Sequence, residues 1–136
     1  MTYKEKRELL NSYRSSVIRI KGLQRELGEW EAIANNITQK IKPVMVNSSK
    51  TGSKLESDAI KILEIETQLN QELNAIIQTR TSVNDIINTV RDTRKRDILT
   101  LRYINGIPVR EIARNRNVAE QNIHKIIKRT IQSINI

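Results

Sequence analysis

The 136-residue sequence has no cysteine and no phenylalanine, and only one tryptophan and three tyrosines. Lack of a thiol excludes disulfides, thiolate zinc sites and a cysteine nucleophile. So few aromatic rings exclude a large aromatic core, and the interior must come from Ile and Leu on helices. Four glycines and two prolines leave few chain breakers, and no alternating stretches bounded by turn residues suggest β-hairpins. No run approaches the roughly 18 apolar residues of a membrane span. The opening residues do not follow the cationic, apolar, small-residue order of a leader, so neither membrane nor export is expected. His124 is the single histidine, Gly22 and Gly28 lie inside a helical pattern, and the carboxylates are scattered among basic neighbours. No catalytic residues, cofactor or metal site are expected, and the chain reads as a non-enzyme.

What is present is helical periodicity and positive charge. Residues 3–41 read as one helix, residues 42–57 as a loop containing Pro43, Gly52 and several Ser and Thr, and residues 58–90 as a second helix. Leu55, Ile62, Leu69, Ile76, Val83 and Val90 recur every seven residues, and Tyr13, Ile20, Leu27, Ala34 and Ile41 do the same on the first helix. Such spacing is a coiled-coil signal. The two rows come into phase if the chain folds back near Ser48, with Ile41 opposite Leu55 and Tyr13 opposite Val83. A second row, Ala59, Glu66, Leu73, Arg80 and Ile87, puts Glu66 opposite Trp30 and Arg80 opposite Ser16. In that register the Trp30 indole would donate to the Glu66 carboxylate; in a slipped register Glu66 and Arg80 would both lie in solvent. Leu10, Val17, Ile18, Ile33, Ile60, Leu63, Ile77 and Ile86 fall outside the seam, which suggests a second buried surface, either a homodimer interface or a dock for the rest of the chain. The expected fold is all-α, a long antiparallel helical hairpin (coiled coil) over residues 1–90 followed by a small helix-turn-helix domain over residues 91–136.

Charge is concentrated in that second part. Of a net charge of +9, residues 91–136 carry +7, from eleven Lys and Arg against four Asp and Glu. Excess cationic charge on a small module gains affinity for phosphates by counterion release, without any sequence match. The same residues have the spacing of two short helices meeting at a steep angle. Ala113 is small enough for close approach, Asn117 suits the left-handed turn position, and Val118, Ile123 and Ile126 supply an inward face.

The run LRYINGIPVREIA, residues 101–113, followed by NVAEQNIHKIIKRTI resembles region four of the sigma-seventy family, the module that reads the minus-thirty-five promoter element. The resemblance covers about a third of the chain. It implies a first helix through Leu101, Arg102 and Tyr103, a turn at Gly106, a short helix with Glu111, Ile112 and Ala113, and a recognition helix from Glu120 to about Ile134. It also implies an internal ion pair between Arg102 and Glu111. Ala119 departs from the usual Ser or Thr N-cap, an absence that costs about 0.5–2 kcal/mol, partly offset by Glu120 in the first turn. Arg116 stands where an apolar residue is usual, and Pro108 is tolerated because an early helix position wastes its missing donor. More broadly, the helical front half and its loop are similar to small regulators of Gram-positive phages and prophages that end in a region-four-like domain, late-gene activators among them.

The expected function is that of a sequence-specific regulator, an activator of transcription encoded by a phage or prophage, that binds double-stranded DNA in the cytoplasm of a bacterial host, with RNA polymerase as a further partner. The apolar residues outside the seam add the expectation of a homodimer. No region-two segment for promoter melting is recognisable, so a complete sigma factor is not expected. Gln121, Asn122, His124 and Lys125 are the expected base-facing residues, because amides can read adenine and an ammonium can read guanine. Arg110, Arg114, Arg116, Lys128 and Arg129 are the expected phosphate contacts, which orient without specifying. A phage small terminase subunit, which marks DNA for packaging, is the leading alternative. A helical interaction protein with a basic tail is the third.

Overall fold

Residues 1–41 and 48–136 are described by the computed structural model, the side chains of 37–41 and 48–53 excepted. Five helices follow one another: α1 (Tyr3–Ile41), α2 (Ser48–Asn88), α3 (Thr93–Tyr103), α4 (Val109–Asn115) and α5 (Glu120–Ser133). The all-α class and the order of long helices before a helix-turn-helix are as expected. Among the described residues no helix is long and apolar enough to cross a membrane.

α1 opens with a reciprocal cap: the Thr2 backbone N–H donates to Glu5 Oε2 at 3.0 Å and the Glu5 N–H to Thr2 Oγ1 at 3.2 Å. This satisfies donors that the first turn would otherwise leave orphaned. α2 begins ten residues before the expected start, so residues 48–57 are helix and not loop. Once a turn is nucleated, each added residue costs little, and Gly52 removes only about 1 kcal/mol relative to Ala. Residues 42–47, the rest of the expected loop, lie outside the described residues.

The chain divides into two compact units, Ile18–Asn74 and the combination of Met1–Val17 with Ala75–Ile136. In the unit Ile18–Asn74, Ile20 and Ile65 are buried, while Leu27, Ala34, Leu55, Ile62 and Leu69 are half-buried. The first heptad rows are therefore the sheltered ones, with the Ile41 side chain outside the described residues. The second row is not the expected one. Ala59, Glu66 and Leu73 are exposed, and the sheltered positions are one residue earlier, at Asp58, Ile65 and Glu72. Glu66 accordingly makes no hydrogen bond with Trp30 among the described residues. Among the described residues the interhelical ion pair is instead Arg19 Nη1 to Glu72 Oε1 at 2.8 Å. Asp58, only 4% exposed, has an Oδ2 without a hydrogen-bond partner.

In the other unit the second row moves on by a residue, to Ile87, which is 1% exposed. A helix of 3.6 residues per turn drifts by ~20° per heptad against a strict repeat of seven, so over four heptads its sheltered stripe shifts by about one residue. Arg80 here lies over the Tyr13 ring, 5.7 Å from its centroid, rather than against Ser16.

The ends of both long helices contribute to the core of α3, α4 and α5. Leu10, Val83, Ile87 and Val90 are buried in one cluster with Ile98, Leu99, Tyr103, Ile112, Ile123, Ile127 and Ile131. Leu10 and Ile86, left over from the heptad seam, thus find their partners here. Ile18, Ile33, Ile60, Leu63 and Ile77 remain exposed. Lys6 adds a polar tie, its Nζ donating to the Gln132 carbonyl at 3.2 Å and the Ile134 carbonyl at 2.5 Å. A cation at this end also complements the negative pole of α5.

Candidate nucleic-acid interface

α3 starts one residue after Asp92, whose side chain accepts from the backbone N–H groups of Arg94 at 3.0 Å and Lys95 at 3.2 Å. Arg94, Lys95 and Arg96 thus form the first turn of a capped helix. The chain leaves α3 through Gly106 at φ 70°, where a Cβ would fall on the Arg14 guanidinium. α4 ends in a Schellman motif: Asn117 is left-handed at φ 54°, its N–H donates to the Arg114 carbonyl at 3.2 Å, and the Val118 N–H donates to the Ala113 carbonyl at 3.1 Å. That turn aims α5. As the sequence implies, Ala119 caps α5 without a side-chain hydrogen bond.

The buried stripe of α5 is Ile123, Ile127, Thr130 and Ile131. Ile127 and Ile131 complete the stripe that Ile123 begins, whereas Val118 and Ile126 are only half-buried. At about 100° per residue the opposite face centres on Lys125 and Gln121, with Lys128 on one flank and Asn122 and Arg129 on the other. Gln121, Asn122, His124, Lys125, Lys128 and Arg129 are all exposed. His124 stands toward one edge of this face, its Nε2 3.7 Å from Glu120 Oε1. Arg110 and Arg114, one turn apart on α4, are exposed beside Glu111, and Arg116 is half-buried at the end of that helix.

Among the described residues no ion pair joins Arg102 to Glu111. Glu111 is exposed beside Arg110 and Arg114, whereas Arg102 opens on a different surface with Arg7, His124 and Lys128. Tyr103 lies in the core; burial raises its hydroxyl pKa, Tyr3 adds to the rise, and Arg7 and Arg102 oppose it.

Cations flank the exposed face of α5 on both sides. On one side Arg94 and Lys95 of α3 join Asn122, Lys125 and Arg129 around a cleft of about 390 Å³ floored by Ile98, Val118 and Ile126. Arg94 and Lys95 count among the eleven cations of residues 91–136, and no spacing in the sequence sets them beside α5. On the other side Lys128 lies over the Tyr3 ring, 5.7 Å from its centroid. No sequence signal links Tyr3 or Arg7 to α5.

No curated protein and no solved structure matches the chain. Residues 92–135 match the family model for sigma-70, region 4. α3, α4 and α5 therefore form a helix-turn-helix similar to region 4, a DNA-binding module.

Proposed function

We propose that this chain is a sequence-specific regulator of transcription that reads duplex DNA with α5, acts as an activator and is encoded by a phage or prophage. The observation that carries the DNA reading is the outward face of α5, where amides and cations are exposed together over the region-4-like match. Gln121, Asn122, His124 and Lys125 face base edges, and Arg110, Arg114, Arg116, Lys128 and Arg129 hold phosphates. The activator role and phage origin rest on the likeness of the helical front half to phage regulators that end in such a domain. RNA polymerase is the partner that activation requires. A homodimer, which would present two such helices to two half-sites, suits the exposed apolar residues of α1 and α2.

Selection from fragmented phage and host DNA at about 0.15 M salt tests this reading, since non-specific binding there weakens to roughly 10⁻⁴–10⁻⁶ M. The expected result is enrichment of one short motif just upstream of a gene block. Enrichment at a DNA-packaging site by a ring-sized oligomer would replace activation with packaging. Retention of all fragments alike would refute sequence-specific regulation.

A further inference from the structure

On the flank of α5 nearest the N-terminus of α1, Tyr3, Arg7, Asn11, Arg102, His124 and Lys128 surround a depression of about 310 Å³. Two guanidiniums, an ammonium and an imidazole converge there, and no carboxylate is among the lining residues. The Arg102 side chain, expected to be taken up by Glu111, opens here instead. The buried Tyr103 also lines the depression, along with residues of both α1 and α5. The Tyr3 ring under Lys128 gives the ammonium a fixed neighbour. His124 has the Glu120 carboxylate 3.7 Å away, whereas Arg7, Arg102 and Lys128 form no ion pair among the described residues. Converging cations repel one another, and an anion with several oxygens relieves that repulsion. Guanidiniums suit phosphate because their fork of donors meets two oxygens at once.

We propose that this depression binds a phosphate group, with Arg7 of α1 and Arg102 of α3 as its anchors and Lys128 as its third cation. His124 and Lys128 lie one turn apart on α5, next to the strip that carries Gln121 and Lys125. A helix about 10–12 Å across fills a major groove about 12 Å wide, so its flanks meet the backbones that border the groove. The phosphate is then one of the DNA backbone, and α1 belongs to the DNA interface although it lies outside the region-4-like domain. This assignment of source rests on the proposed function; the phosphate chemistry of the site does not.

The test uses the full chain in two arms. In the first, duplex affinity is measured against salt for the wild type, Arg7→Gln, Arg102→Gln, Arg7→Lys and Arg25→Gln, circular dichroism confirming helix content. The expected result is a log–log salt slope shallower by about 0.9 for each of Arg7→Gln and Arg102→Gln. Arg7→Lys keeps the wild-type slope, and so does Arg25→Gln, an exposed cation that is not among the lining residues of the depression. In the second arm, inorganic pyrophosphate is titrated calorimetrically into the wild type and Arg7→Gln. Arg7-dependent pyrophosphate binding with unchanged DNA binding assigns the site to a free phosphate compound and overturns the DNA assignment. Indifference of both arms to Arg7 overturns the site itself. If the wild type binds no duplex at all, the proposed function fails, while the pyrophosphate arm still decides the site.

Discussion

At the scale of single residues, the outward face of α5 separates two kinds of contact that mutation can tell apart. Lys128→Ala should weaken binding to all duplexes alike and flatten the salt dependence, because a phosphate contact carries no sequence information. Gln121→Ala should change which sequence is preferred. Equal losses on every sequence from both variants, measured by competition between duplexes, would contradict this division. Ala119 offers a second test, because α5 starts without a side-chain acceptor for its first donors. Ala119→Ser should raise stability by about 0.5–2 kcal/mol in urea unfolding, the worth of an N-cap. The left-handed backbone at Asn117 and Gly106 was readable from residue type, since few side chains tolerate it. The Arg102 to Glu111 pair was not, because it was carried over from a resemblance and depends on where two long side chains find space.

At the scale of elements, heptad spacing identified the first sheltered row of both long helices but not the second. Positions three and four after each heptad residue both lie near the seam, and the sequence offers apolar residues in each: Leu73 and Ile87 in one, Ile65 and Ile86 in the other. Packing chose the row containing Asp58, Ile65 and Glu72 in the unit Ile18–Asn74. Glu72 is matched by Arg19, whereas Asp58 keeps an unsatisfied oxygen in a buried position. A buried polar atom without a partner costs about 1–3 kcal/mol. Asp58→Leu should therefore stabilise the chain by a similar amount, read as a higher urea midpoint at unchanged m-value. A lower midpoint would mean that the carboxylate is needed where it stands.

At the scale of the whole molecule, the apolar residues expected to fall outside the heptad seam, the half-buried Val17 aside, divide into two groups. Leu10 and Ile86 meet the core of the helix-turn-helix, while Ile18, Ile33, Ile60, Leu63 and Ile77 stay exposed. Exposed apolar side chains on long helices suit pairing with a second copy. Sedimentation at tens of micromolar should give a dimer, and Ile60→Glu combined with Leu63→Glu should give a monomer with unchanged helix content. A monomeric wild type would remove the dimer from the proposed function.

The sequence by itself determined the all-α class, the helix-turn-helix and the cationic charge of its C-terminal third. Each follows from local signals: periodicity, turn chemistry at Gly106 and Asn117, and composition. Only the tertiary structure decided that the ends of α1 and α2 complete the core around α3, α4 and α5. It also decided that Asp92 caps the start of α3, and that Arg7 stands beside Arg102 and Lys128. The physical reason is separation along the chain. Arg7 and Lys128 are brought together by the packing of Leu10 and by the bonds of Lys6 to the end of α5, contacts for which no spacing rule exists.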